Sequence, residues 1–325
     1  MKISYILRAL ILSFVFFSCE KNEIPILPHN SGEIISRQIE LYPNYQNQVF
    51  YSIKNDLVVS SNLKTDWDMA FESSEQGYNI LLNSSTFSQL TVVDDITFEE
   101  VTEVLDSEWN WDNPKGMNYG TAIGDPRINN SIYIINRGYN INGIARGYKK
   151  ISIDTITNNY YSIRYANLDN TEMHIMKINK DSNFNFQYLS FTLNDTINIE
   201  PQKNKWDLLF TQYTHIFDEE IGPSPYLVTG VLTNYINQIE VAVDTNNLFA
   251  DIEYNMLMNY DFASFQDIIG YDWKYYNFDT QSYSIDSEKN YIIKDQQGYY
   301  YKMHFVDFYN DLGDKGYPMF EFQQL

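Results

Sequence analysis

The chain alternates with a period of two. Val49, Tyr51 and Ile53 fall on one side of such a pattern, as do Tyr161, Ile163 and Tyr165, and again Tyr301, Met303, Phe305 and Asp307. Successive side chains of a strand point to opposite faces, so each run predicts a strand with one face on a core. Between the runs stand Asn140-Ile141-Asn142-Gly143, Asn158-Asn159, Asp244-Thr245-Asn246-Asn247 and Gln296-Gln297-Gly298. Their Asn, Asp and Gly residues tolerate the backbone angles of tight turns. Helical periodicity is scarce, with Phe98–Leu105 and Asp261–Ile269 read as short helices. The class predicted is all-β, in antiparallel sheets packed face to face or curled into partial barrels, with few short helices.

The pattern also repeats at long range. Trp67-Asp68-Met69-Ala70-Phe71 recurs as Trp206-Asp207-Leu208-Leu209-Phe210, 139 residues on, and Gln48, Asn55-Asp56 and Lys64 recur as Gln187, Asn194-Asp195 and Lys203 at the same offset. Downstream, Tyr160–Tyr165 parallels Tyr300–Phe305 at an offset of 140. A shared offset over so long a stretch predicts two tandem β units, 39–180 and 181–325.

Residues 1–18 read as a signal peptide: Lys2 and Arg8 precede a short apolar run, Ala9–Phe17, that is too short to span a bilayer. The run ends at Phe16-Phe17-Ser18-Cys19, which resembles the lipobox of bacterial lipoproteins. That resemblance implies cleavage before Cys19 and lipidation of it, and more than one acyl chain anchors stably. Residues 19–38, with Pro25, Pro28 and Gly32, read as the tether of a membrane-anchored body. Glu20, Lys21 and Glu23 resemble the acidic export signal of surface-exposed lipoproteins in some Gram-negative groups.

Charge and composition remove several functions. The 325 residues include 43 acidic and 22 basic, a net charge of −21. Such a surface repels phosphate backbones, so nucleic acid is not an expected partner. A single cysteine leaves no disulfide framework, Cys-rich zinc site or iron–sulfur cluster. There is no Gly-rich phosphate loop, nucleophile elbow or His-Glu-x-x-His helix, and adjacent acids such as Asp94-Asp95 and Glu219-Glu220 point to opposite strand faces. No enzyme is expected. Asp68 and Asp207, each after a tryptophan, are expected to bond local backbone. His29 lies in the tether, and His174, His215 and His304 are read as surface or structural residues. Aromatics reach 16%, with 28 Tyr, a surplus suited to strands and to amphipathic binding surfaces.

Several stretches resemble the HmuY-like haem-binding lipoproteins of the Bacteroidetes group. These are Phe50-Tyr51-Ser52-Ile53, Thr65–Phe71, Ile269-Gly270-Tyr271-Asp272-Trp273, Tyr291–Lys294, Tyr301–Tyr309 and Lys315–Phe322. The resemblance implies an all-β fold, outer-membrane attachment, and haem capture for uptake by a partner receptor. It also implies an axial histidine a few residues after Trp273, yet Lys274-Tyr275-Tyr276-Asn277-Phe278 contains none. Methionine ligands occur in other members, which makes Met256 and Met258, placed two apart on one strand face, the candidates here. His215, on the segment leaving the second Trp-Asp strand, is the histidine candidate. Lys274, Lys294 and Lys302 are the candidate partners for haem propionates. The alternative is a surface lipoprotein of the same fold that binds a glycan or peptide, with Trp109, Trp111, Tyr275 and Tyr276 as stacking residues.

Overall fold

The computed structural model describes residues 31–104, 108–128, 131–220 and 222–325. The signal peptide, Cys19 and the start of the tether lie outside the described residues. In the first half the strands are β1 (Ile35–Gln38), β2 (Asn47–Ser52), β3 (Leu57–Leu63), β4 (Met69–Glu72), β5 (Ile80–Leu82), β6 (Gln89–Val93), β7 (Ile132–Asn136), β8 (Tyr148–Ile156) and β9 (Tyr160–Ala166). In the second they are β10 (His174–Asn179), β11 (Phe186–Ser190), β12 (Asp195–Ile197), β13 (Leu208–Glu219), β14 (Gly222–Thr233), β15 (Glu240–Asp244), β16 (Lys274–Asn277), β17 (Ser282–Ile285), β18 (Asn290–Lys294), β19 (Tyr300–Tyr309) and β20 (Lys315–Gln324). The described helices are short 3-10 turns, so the chain is all-β.

Four antiparallel sheets pair into two sandwiches. In the first, β10-β9-β8-β7-β6 faces β12-β11-β4-β5, and Phe71, Ile135, Ile151, Tyr161, Ile163, Tyr165 and Leu189 fill the space between. In the second, β1-β20-β19-β18-β15 faces β14-β13-β2-β3, around Tyr51, Phe210, Trp273, Tyr291, Met303, Phe305 and Phe320. The two four-stranded sheets then meet back to back through Phe50, Trp67, Ala70, Phe186 and Trp206. The period-two reading holds for Tyr161, Ile163 and Tyr165, all buried. In β19 it fails at Asp307, because register shifts around that residue turn Phe308 inward in its place.

The halves of the sequence are not the halves of the structure. Strand β2 pairs with β13, and β11 pairs with β4; β1 completes the sheet of β20, and β10 that of β9. Each repeat therefore gives its first two strands, β2–β3 and β11–β12, to the sandwich of the other. The first sandwich runs continuously from β4 to β12, while the second is closed by β1–β3 and β13–β20. A boundary at 180/181 divides the sequence repeat but cuts through the first sandwich. The tether also ends sooner than residue 38, since Ile35–Gln38 is already a strand on β20.

The Trp-Asp motif clamps this exchange. Asp68 accepts the Phe191 N–H at 2.8 Å, at the end of β11, and Asp207 accepts the Ile53 N–H at 2.8 Å, at the end of β2. These bonds reach far along the chain rather than to local backbone, and each one joins the two repeats. Starts of β4 and β13 keep the 139-residue spacing, but β6 and β15 are 151 apart, because β13 and β14 have twelve residues each where β4 and β5 have four and three. By sheet position β8 matches β19, and β9 matches β20. Buried Lys150 and Lys302 confirm that pairing: Lys150 donates to the Phe98 and Val101 carbonyls, and Lys302 to those of Phe249 and Ile252. The likeness of Tyr160–Tyr165 to Tyr300–Phe305 joins strands that are not counterparts.

Candidate functional site: an aromatic cleft beside the second sandwich

Two additions distinguish the second sandwich from the first. One is the long β13–β14 hairpin; the other is the hairpin β16–β17, inserted between β15 and β18. Together with Pro43, the end of β19 and the turn before β20 they enclose an open cleft of about 700 Å³. Tyr226 of β14 stands on one wall, Tyr276, Phe278, Gln281 and Tyr283 on the other, and Tyr309 and Lys315 close it. A scaffold that folds twice from one pattern needs neither addition, so the cleft is where this chain departs from its own repeat.

Its walls are fixed from beneath. Trp273 stacks on Phe305 with 3.9 Å between ring centroids. The next residue, Lys274, is buried and donates from Nζ to the Thr229 carbonyl of β14 at 2.5 Å and to that of Tyr271 at 3.4 Å. That ammonium also lies 4.1 Å from the Trp273 ring, and burial pushes its pKa down to about 7. Lys274 thus ties β16 to β14, the two walls. Glycine is required behind them: a Cβ on Gly230 would meet the Gly270 carbonyl oxygen at 2.3 Å, where Val231 and Gly270 bridge.

Tyrosines converge inside. Tyr309 accepts the Tyr283 N–H at 2.7 Å. Tyr276 pairs with Tyr283 across the hairpin, their rings edge to face at 5.2 Å, and Phe278 meets Tyr276 at the same distance. Burial pushes the Tyr283 phenol up, opposed by the neighbouring Tyr45 phenol and helped by the phenols of Tyr226, Tyr309 and Tyr276. Phe278 is 83% exposed and Tyr226 64%, large aromatic faces that the fold itself does not use.

A second space lies between the sandwiches, lined by Trp67, Trp206, Tyr188, Asp112 and Glu200 among others. It offers only about 90 Å³, room for a few waters and not for a ligand of several hundred Å³. Its carboxyls are unusual. Glu200 accepts from the Asn185 and Phe186 backbones and the Trp206 indole, Asp112 from Leu82 and Ala122, and burial pushes both up to about 7.

The candidate ligands do not share a slot. Met256 and Met258 lie in the 3-10 turn Tyr254–Asn259, not on a strand, so a two-residue spacing no longer gives them one face. Met256 accepts the Glu253 N–H at its sulfur, 3.5 Å away, and lines a depression beside Asp244 and Asp261. Met258 is 88% exposed. His215 lies on β13 opposite Tyr226, packed on Phe217 and Tyr271, with Nδ1 3.3 Å from Asp267. The expected propionate partners are engaged elsewhere: Lys274 and Lys302 hold backbone carbonyls, and Lys294 pairs with Glu240. Sequence reasoning missed Lys315 and Tyr226, whose nearness to Tyr276 depends on the hairpin fold. Trp109 and Trp111 are half-buried, Trp109 against Tyr148 and Trp111 against Phe87, rather than open platforms. The segment Asp261–Ile269 is not helical; Ala263 within it bridges Val241. Of the segment Phe98–Leu105, Phe98–Glu100 is a 3-10 turn and Leu105 lies outside the described residues.

No curated protein matches the chain. Among solved structures, apo PinO from Porphyromonas gingivitis is 7% identical, over 90% of this chain and 97% of its own, with a TM-score of 0.30. The apo HmuY analog (TFO) of Tannerella forsythia is 8% identical, over 91% and 98%, with a TM-score of 0.25. The family model described as HmuY protein matches residues 44–322, a span that takes in the first sandwich, all of the second but β1 and the end of β20, both Trp-Asp clamps and every wall of the cleft except Pro43; the chain belongs to the HmuY family.

Proposed function

We propose that this protein is a surface-anchored lipoprotein that binds haem in the aromatic cleft and passes it to an outer-membrane uptake system. One observation carries the reading: an open cleft of about 700 Å³, within the range of small-molecule and cofactor sites, walled by aromatic faces that suit a flat macrocycle. Lys315 supplies a cation at its edge for a propionate. Family membership supports a binding role rather than catalysis. Replacing Phe278 with Ala removes an exposed ring and leaves the fold intact, so hemin affinity is expected to fall about tenfold, the value of roughly 1.4 kcal/mol of stacking and burial. Unchanged affinity in that variant would place haem elsewhere.

A glycan is the second reading, favoured by the charge of −21, which opposes a ligand carrying two carboxylates. Binding of neutral oligosaccharides with no response to hemin would select it.

Attachment is proposed through Cys19, since no helix among the described residues is long and apolar enough to cross a membrane. Cys19→Ser is expected to move the protein from the membrane pellet to the soluble fraction. Retention of that variant in the pellet through a carbonate wash would contradict the anchor.

A further inference from the structure

The cleft contains phenols where an iron ligand would be sought. Its described lining includes Tyr226, Tyr276, Tyr283 and Tyr309, and neither histidine nor methionine. Tyr309 is committed to the Tyr283 backbone, and Tyr283 faces Tyr45. The buried Tyr45 oxygen has no aligned hydrogen-bond partner. Among the described residues the Tyr226 and Tyr276 oxygens carry no hydrogen bond. Tyr276 is held on two edges, by Phe278 and Tyr283, whereas among the described residues the Tyr226 ring has one ring partner, Phe217, at 6.4 Å. A ligand whose ring is already fixed loses little freedom on binding.

Resting on the haem reading, we infer that Tyr276 is the axial ligand of ferric haem in this cleft, through its phenolate oxygen, with Tyr226 on the facing wall as a non-ligating neighbour. Tyrosine is an established protein ligand of haem iron. In the exchange, the iron–oxygen bond to a bound hydroxide breaks and an iron–phenolate bond forms. The phenol proton leaves with the hydroxide as water, and iron stays ferric. The ferric ion lowers the phenol pKa, as bound cations do for their ligands. A phenolate anion favours the ferric over the ferrous ion, so the site should hold oxidised haem and loosen on reduction. Methionine ligation would favour the reduced form instead.

The test is hemin titration of the full chain, followed by absorbance, electron paramagnetic resonance and resonance Raman. The expected result is a high-spin ferric centre with phenolate vibrations, lost in Tyr276→Phe and kept in Tyr226→Phe, with affinity falling at least tenfold on dithionite reduction. Hemin bound with an unchanged spectrum in Tyr276→Phe overturns the tyrosine assignment and leaves the haem reading standing. So does a low-spin centre that persists on reduction. Failure of the wild type to bind hemin at all overturns both. Both substitutions remove one hydroxyl at the surface, so a loss of folding would show separately in the circular dichroism.

Discussion

Asp68→Ala is expected to destabilise the protein by about 3–5 kcal/mol, a large part of the roughly 5–15 kcal/mol typical of a folded domain. Asp68 is buried and holds the Arg137 guanidinium at 2.9 Å, that of Arg146 at 3.0 Å and the Phe191 N–H at 2.8 Å. Its removal leaves two guanidinium groups short of their counter-charge and unclamps the exchanged strand β11. The counterpart Asp207 provides the control. The β18–β19 connection is shorter than the β7–β8 one and brings no arginine; Asp207 has Ile53 N–H and Gln296 as partners, and burial pushes its pKa up to about 6. Asp207→Ala should therefore cost only about 1–3 kcal/mol, the value of an unmade buried hydrogen bond. Urea melts of the two variants measure the difference. Equal costs, or a larger one at Asp207, would remove the arginine clamp as the source of the asymmetry.

Acidification from pH 7 to pH 5 is expected to stabilise the fold. Burial raises the carboxyls of Asp112 and Glu200 to about 7 and that of Asp207 to about 6, above their unfolded values. A group raised in the folded state binds more protons there than in the unfolded chain. Its contribution is fully present below the unfolded pKa and is lost as pH rises through the folded one. Between pH 5 and 7 the three together are worth about 5–6 kcal/mol, an order of magnitude taken from 1.36 kcal/mol per pKa unit. Carboxyls held low by partners, such as Asp56 beside Arg37 and Tyr51 despite its burial, lose their contribution only below this window. Lys274, lowered to about 7, acts above it, where stability rises with pH because the unfolded chain binds more protons. Thermal midpoints at pH 5, 6 and 7 should fall in that order, and Glu200→Gln should flatten the slope. A midpoint that is constant, or that rises from pH 5 to 7, would contradict these protonation states.

How much of this was legible in sequence depends on range. Tyr161, Ile163 and Tyr165 reveal their strand because the two-residue period is local, and the Trp67/Trp206 offset reveals a repeat. Strand exchange leaves no such mark: a 139-residue repeat reads the same whether β2 pairs within its own half or with β13. Met256 and Met258 misled because two residues are too few to separate a strand from a 3-10 turn. The same limit applies to Tyr160–Tyr165 and Tyr300–Phe305, where two aromatic strands match by composition and not by place. The cleft was half legible. Tyr276 stood out as an exposed aromatic, but Tyr226 joins it in the cleft lining only through the twelve-residue arms of β13 and β14. Lys274, expected at a propionate, holds the walls together instead, because its ammonium finds the Thr229 carbonyl within the protein.

The most direct measurement is an absorbance titration of the purified protein with hemin. Binding in the cleft predicts a Soret band that shifts from that of free hemin and saturates at one equivalent, in the wild type and more weakly in Phe278→Ala. A spectrum that stays that of free hemin at every ratio would contradict haem binding by this member of the HmuY family.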